Sequence, residues 1–348
     1  MSEVQENNQA SVVSQPQSVR ILPVGITGLG AYLPERVLTN ADLESIVETN
    51  DEWIRSRTGI GERRIAAPDQ TTADLAEKAS RAAIEDAGIQ VSELDLIIVA
   101  TCTPDYPFPS TASLLQDRLG ATCAAFDLGA ACSGFTYALV TAQQFVATGA
   151  AKTVLVVGAE VMSRVLDWTD RNTCVLFGDG AGAAIVQSVP EGFGVQGFDL
   201  GSDGSGGELL KIEKYTAGES APTALVCGSV GDRRIFQNGR EVYRFAVNVM
   251  GESAARALDS AGISGDSIDL FVPHQANVRI IDSAAKRLGV GSDRVFVNVE
   301  KYGNTSAASI PIALREARDA GRINRGDTVV MVGFGGGLSW GSLVVKWY

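Results

Sequence analysis

The chain of 348 residues contains a single histidine. Its five cysteines are an odd number with no Cys-x-x-Cys pair, so neither a disulfide framework nor a zinc ribbon is expected. Metal sites draw on several His, Cys or carboxylate groups at close spacing, and no metal site is expected here. Positive charge is in short supply: 29 Lys and Arg stand against 41 Asp and Glu, a net charge of −12. That balance argues against a nucleic-acid binder, which needs broad positive potential, and leaves any anionic partner to a local basic patch. No apolar run approaches the roughly 18 residues of a membrane span, so no membrane insertion is expected. What remains is an ordinary globular mix, 45% apolar and 20% charged, sufficient for one large domain or two closely packed ones.

Residues 1–19 are rich in Gln, Ser and Asn and lack any basic side chain. They match neither a signal peptide nor a transit peptide, and read as a disordered tail on a cytoplasmic protein. From Arg20 onward, short β-branched runs alternate with Ala-rich helical stretches. Residues 94–100, 152–159, 267–272 and 327–333 are continuous apolar strands, as expected where both faces of a sheet are covered. Helical segments are expected at 72–87, 111–119, 132–148 and 241–261, which makes the protein α/β. The pattern also repeats. Ala82–Val99 and Ala255–Val272 both run helix, Ala-Gly, loop, Asp-Leu, strand, with Asp95 and Asp269 separated by 174 positions. Thr153–Gly158 recurs as Thr328–Gly333 at a separation of 175. Two matches at nearly one offset predict a duplicated fold, with halves at 20–190 and 191–348 and a site shared between them.

Elimination narrows the chemistry. Gly337-Leu-Ser339-Trp-Gly341 has the spacing of a hydrolase elbow, but a terminal strand follows it and no histidine lies downstream. FGDGAGAA (177–184) lacks dinucleotide-binding spacing and reads as a tight turn feeding a strand. Cysteine is the remaining nucleophile. Cys132 lies where a small-residue run meets a long helix, and a helix start stabilises thiolate. On local sequence alone it reads equally as a nucleophile or as a small residue at a tight helix–strand contact. Cys102, Cys123, Cys174 and Cys227 have no such setting and read as core or loop thiols. The sole histidine, His274, ends an apolar strand, an address suited to a ligand site although single histidines are more often structural. By the repeat offset, the Gly303–Ser309 turn corresponds to the Cys132 turn, so Asn304 and Cys132 are expected to converge across the internal axis.

AACSGF around Cys132, VPHQAN around His274, GNTSAAS around Asn304 and the final FGGGLSWGS together resemble the 3-oxoacyl-[acyl-carrier-protein] synthase III family. The likeness runs from about residue 20 to the C-terminus and includes NDEWIRSRTGI (50–60). It implies the thiolase fold, two pseudo-symmetric α/β halves forming a layered αβαβα core. It also implies a decarboxylating condensation of acetyl-CoA, or another short acyl-CoA, with malonyl-acyl carrier protein. Cys132 would carry the acyl group, and His274 and Asn304 would stabilise the enolate. The N–H groups of Cys132 and Gly336 would form the oxyanion hole. Trp53, Arg57 and Arg171 would hold CoA. Gln275, Ala276, Asn277, Val278, Arg279, Lys286 and Arg287, with Arg244, would meet acyl carrier protein. Phe108 would reach a partner's acyl pocket across a homodimer interface, and no cofactor beyond the thioester substrates is implied.

Relatives with Cys-His-His are excluded by the single histidine, and the absence of cysteine in 333–348 disfavours the reversible, non-decarboxylating chemistry of thiolases. Chalcone and stilbene synthases share Cys-His-Asn, but carry GFGPG where this chain has Gly333-Phe-Gly-Gly-Gly337. Two other classes stand beside the condensing enzyme. A non-catalytic acyl-binding scaffold would commonly have lost the nucleophile, and an acyltransferase to oxygen or nitrogen would release no CO₂ from a malonyl substrate.

Overall fold

Asp95 and Asp269, singled out by the repeat, make the same contacts in both halves. The Asp95 N–H donates to the Thr153 carbonyl at 2.9 Å, and its carboxylate accepts the Thr153 N–H at 3.1 Å. The Asp269 N–H donates to the Thr328 carbonyl at 3.0 Å, and its carboxylate accepts the Thr328 N–H at 2.7 Å. Each aspartate thus locks the entry of one strand to the entry of its neighbour. The computed structural model describes residues 21–213 and 234–348, with the backbone of 216–217 and 228–229. The 1–19 segment and Cys227 lie outside the described residues.

The first sheet is built from β1 (Val24–Tyr32), β2 (Leu96–Ala100), β3 (Ala124–Leu128), β4 (Thr153–Glu160) and β5 (Gly180–Ser188). Its order is β1-β5-β4-β2-β3. The second contains β6 (Gly194–Ser202), β7 (Leu270–Pro273), β8 (Thr328–Gly335) and β9 (Ser339–Lys346), in the order β7-β8-β9-β6. Directions match as well as order. β2 runs parallel to β4 as β7 does to β8, and the next two pairings are antiparallel in both sheets. The place of β3 is taken in the second half by one parallel bridge, Phe271 to Val295.

Helices supply the other layers. After α1 (Asp51–Thr58) come α2 (Thr72–Ala87) and α3 (Thr111–Leu119), which cover the outer face of the first sheet with Leu75, Ala79, Ala83 and Leu115. α4 (Gly134–Ala147) lies between the sheets. α5 (Gly239–Ala261) and α6 (Val278–Leu288) cover the outer face of the second sheet, and α7 (Ser309–Asp319) joins α4 in the middle layer. Strand alternation follows directly. Leu96 and Ile98 point into the central layer, while Ile97 and Val99 meet α2 and α3. In β8, Val329 and Met331 point inward, and Val330 and Val332 face α5 and α6. Both faces are apolar because both are covered. The result is the expected αβαβα layering of the thiolase-like α/β fold. Among the described residues, no helix is long and apolar enough to cross a membrane.

One glycine sets how closely the halves approach. A Cβ at Gly158, near the end of β4, would stand 2.3 Å from the carbonyl oxygen of Ala307 in the second half. Both groups are backbone, so neither can swing aside. Gly158→Ala should therefore cost about 1–3 kcal/mol, the usual range for overpacking, and lower the thermal midpoint. Gly239→Ala, where a Cβ meets nothing within 4 Å, is the control and should leave the midpoint unchanged in the same calorimetric scan.

Candidate active site

Two equivalent turns face each other at the centre. Ala131–Ser133 leads into α4 and Ser306–Ala308 leads into α7, a separation of 175 positions that matches the sequence repeat. Each opens on a non-glycine residue with a left-handed backbone, Ala131 at φ 45° and Ser306 at φ 49°. The third such residue among those described is Leu338 at φ 44°, in the Gly336–Leu338 turn that meets the Cys132 turn. Each costs about 1 kcal/mol or more, and the strain has collected in one place. The approach is close enough to require glycine: a Cβ at Gly335 would stand 2.5 Å from the Cys132 nitrogen.

Cys132 is 8% exposed, and its thiol donates to Ser306 Oγ at 3.4 Å. Burial pushes that thiol up to about 12, with the negative Glu160 nearby adding to the shift. The helix start is where the sequence places it, but the expected stabilisation of thiolate is outweighed by desolvation. In the resting site Cys132 is a neutral thiol. His274 is 1% exposed, and burial lowers its imidazole to about 3, so it too is neutral. Its Nδ1 lies 2.6 Å from Ser309 Oγ. That hydroxyl also accepts the Gln275 N–H at 3.4 Å and keeps both its hydrogen and a second lone pair, so either neutral tautomer of the ring satisfies the contact at Nδ1. Nε2 has no protein partner among the described residues. Asn304 is held by backbone on both sides, donating to Leu176 and accepting from Gly178. Its Oδ1 accepts the Ser306 N–H at 2.8 Å, so the amide nitrogen is the end left for the cavity.

Cys132, His274, Asn304 and Gly336 all line one cavity of about 890 Å³. Its other end reaches Trp53 and Arg57 on α1. The Trp53 ring carries two guanidinium groups, Arg57 at 5.1 Å and Arg171 at 5.2 Å from its centroid. Arg171 also donates to the Glu48 carbonyl at 2.8 Å and does not itself line the cavity. Lys211, Arg240 and Arg279 do line it, giving the cavity a basic margin of which the sequence reading held only Arg57 and Arg279.

The residues assigned to acyl carrier protein separate into groups. Gln275 is corrected: it is 1% exposed, donates to the carbonyls of Pro273 and Phe296, and accepts the N–H groups of Asn298 and Val299. It braces the loop around His274 and has no surface to offer a partner. Ala276 and Asn277 line the cavity. Asn277 also caps α6 through the Arg279 N–H and donates to the Arg57 carbonyl at 2.9 Å, while Val278 packs on Gly59. Arg279 is exposed and lies over Tyr243, and Lys286 is exposed on the same helix. Arg287 pairs with Glu252 at 2.9 Å and Arg244 with Glu241 at 3.1 Å. Phe108 is 85% exposed and lies outside the cavity of its own chain.

Three polar residues escaped the sequence reading. Ser306 touches the Cys132 sulfur, Ser309 touches His274, and Glu160 receives the Ser306 hydroxyl at 2.9 Å. Cys102 is also corrected from an ordinary core thiol. It lines the same cavity and lies 3.2 Å from Glu160 and 3.6 Å from Ser306. The available signals were a carboxylate closing the apolar run 152–159, and two serines, Ser306 and Ser309, shortly after Asn304.

Residues 126–204 match the family described as 3-Oxoacyl-[acyl-carrier-protein (ACP)] synthase III, and residues 258–347 match its C-terminal counterpart. The chain is 55% identical over 328 residues to the β-ketoacyl-[acyl-carrier-protein] synthase III of Desulfitobacterium hafniense, covering 94% of this chain and 98% of that one. It is 52% identical over 324 residues to the enzyme of the same name from Geobacillus kaustophilus, covering 93% and 98%. Among solved structures, synthase III from Aquifex aeolicus superposes with a TM-score of 0.86 at 47% identity, covering 93% of this chain and 100% of that one. The Thermus thermophilus enzyme gives 0.86 at 51%, covering 93% and 99%. With its four sequence motifs gathered on one cavity and relatives above half identity along nearly the whole chain, this protein belongs to the 3-oxoacyl-[acyl-carrier-protein] synthase III family of condensing enzymes.

Proposed function

We propose that the chain joins a short acyl group from acyl-CoA to malonyl-acyl carrier protein with loss of CO₂, the condensation that initiates type II fatty-acid synthesis. The observation that carries this reading is the meeting of Cys132, His274 and Asn304, from three separate segments, at one end of a cavity whose other end holds Trp53 and Arg57. In the first half-reaction the Cys132 sulfur attacks the acyl thioester. The N–H groups of Cys132 and Gly336 receive the developing oxyanion, and CoA leaves. Covalent capture frees the cavity for the second substrate.

In the second half-reaction the malonyl thioester loses CO₂, which leaves a carbon nucleophile without any base having removed a proton. The site must hold negative charge on the thioester oxygen. A neutral imidazole with its proton on Nε2 and a primary amide with its nitrogen free are suited to that: both donate and neither accepts the proton of the reaction. The enolate carbon then attacks the acyl-cysteine carbonyl and expels the Cys132 sulfur.

Trp53, with Arg57 and Arg171, is our choice for the adenine and phosphate end of CoA. Arg279 and Lys286 remain the best residues for an acidic carrier protein. They are exposed beside a margin to which Lys211 and Arg240 add charge. Arg287 and Arg244 can join them, because exposed ion pairs of the kind they make are worth only about 0–1 kcal/mol. Tyr106 and Phe108 are large and exposed, which supports a homodimer with this loop at its interface. We place the reaction in the cytoplasm and assign it no cofactor beyond the two thioesters.

Three outcomes are expected. Cys132→Ala should abolish labelling by radioactive acetyl-CoA, while Cys123→Ala should not, as read by peptide mass spectrometry. Asn304→Ala should lose about 3 kcal/mol of enolate stabilisation, roughly a hundredfold in malonyl decarboxylation, while still taking up the acetyl group. Equal loss of both half-reactions would make Asn304 a structural residue. Arg279→Glu should raise the KM for malonyl-acyl carrier protein far more than that for malonyl-CoA. The wild-type KM for the carrier protein should also rise with salt, as the Debye length falls from about 10 Å at 0.1 M to about 3 Å at 1 M.

A further inference from the structure

The mechanism above leaves one question to the residues: where the Cys132 proton goes. His274 is no ready answer, because neither of its nitrogens makes a hydrogen bond to the Cys132 sulfur. Nδ1 is engaged by Ser309, and Nε2 has no hydrogen-bond partner among the described residues. Among the described residues the one hydrogen bond of the Cys132 thiol leads elsewhere, to Ser306 Oγ at 3.4 Å. The Ser306 hydroxyl in turn donates to Glu160 Oε1 at 2.9 Å.

Glu160 is fully buried at the end of β4. It accepts from Thr103 Oγ1 at 2.5 Å, from Thr101 Oγ1 and Cys102 Sγ at 3.2 Å, and from the N–H groups of Cys102 and Thr103 at 3.2 and 3.1 Å. Among the described residues no Lys or Arg pairs with it, so nothing of opposite charge offsets its burial. Such a carboxylate is expensive to keep unless it does something the neutral network could not.

We propose that Ser306 and Glu160 form the relay that takes the Cys132 proton during acyl capture, an inference that rests on Cys132 being the acylated residue. The thiol proton passes to Ser306 Oγ as the Ser306 proton passes to Glu160 Oε1. The sulfur electron pair forms the new S–C bond to the thioester carbonyl. When the tetrahedral adduct collapses, the C–S bond to CoA breaks and the CoA sulfur leaves with its electron pair. It takes up the proton returned by Glu160 through Ser306. Thiol plus acyl thioester thus give acyl-cysteine plus free CoA, and the carboxylate is restored.

Charge counting favours this route. Forming a Cys132 thiolate while Glu160 stays ionised would put two anions in one dry pocket, each raising the other's cost. Moving a proton from one to the other keeps the count at a single negative charge throughout. Burial already raises the carboxyl of Glu160, which brings its proton affinity toward what the task needs. Ser306 touches the reacting sulfur and is a catalytic residue in this scheme, whereas Glu160 acts through it.

The test compares Ser306→Ala and Glu160→Gln with the wild type in two assays. Single-turnover acylation by labelled acetyl-CoA and alkylation of Cys132 by iodoacetamide both read the thiol proton. Malonyl decarboxylation reads His274 and Asn304 only. Ser306→Ala keeps the backbone N–H that orients Asn304, and Glu160→Gln keeps the volume of Glu160 while turning an amide donor toward groups that themselves donate. Acylation and alkylation should slow by about a hundredfold in both variants, the usual worth of a positioned base, with decarboxylation retained. Should Glu160→Gln fail to fold, Ser306→Ala decides alone. Wild-type rates of acylation in Ser306→Ala, or slowed alkylation in His274→Ala instead, would overturn the relay while leaving the condensation in place. A wild-type protein that takes no acetyl label on Cys132 would overturn the acyl-cysteine reading beneath it.

Discussion

The site exists because two backbone turns, one from each half, are allowed to come closer than side chains would permit. Gly158 admits the Ser306–Ala308 turn against β4, and Gly335 admits the Cys132 turn against the end of β8. Each half therefore reaches across into the other's sheet. The left-handed backbones of Ala131, Ser306 and Leu338 are the local cost of aiming three turns at one point. The central layer of α4 and α7, packed on both sheets, provides the burial that holds those turns in place.

Burial at that depth sets the chemistry as well as the geometry. It keeps Cys132 a thiol and His274 an imidazole, and it raises the carboxyl of Glu160 above its usual range. Hydrogen bonding, with no ion pair taking part, has to do the work there. At the other end of the same cavity the logic reverses. Arg57, Arg240 and Arg279, all exposed, and the half-buried Lys211 provide positive charge on a chain of net −12, where phosphates or an acidic protein would arrive from water.

The large-scale arrangement was readable because it is written in apolar periodicity. The runs 94–100 and 327–333 had to be strands covered on both faces, and the Asp95–Asp269 offset had to reflect a repeat. Cys132, His274 and Asn304 stood out as candidates because each sits at a strand end or helix start, while the roles given to them came from the resemblance of their motifs to a known family. Glu160, Ser306 and Ser309 did not stand out. A glutamate closing a strand and serines opening a helix are common, and their meaning lies in contacts across 35 residues of chain for Ser309 and 146 for Ser306. Gln275 failed in the opposite sense. It stands among residues that do border the surface, and only its four internal hydrogen bonds show that it turns inward. At Cys132 the pull of the helix start toward thiolate is a local term, whereas the desolvation that pushes the thiol up depends on everything packed around it.

The two equivalent turns also differ in a useful way. Ala131 corresponds to Ser306, and Cys132 corresponds to Ala307. The second half thus has an alanine where the first has its sulfur, and a hydroxyl where the first has a methyl group. A pair of identical chains meeting on a true twofold axis could not arrange this, since any residue at one position would appear at both. Joining the copies in one polypeptide removes that obligation. One copy is free to specialise in the atom that forms bonds, the other in the atoms that manage its proton and its charge. Division of labour between once-identical parts is what the internal duplication makes possible.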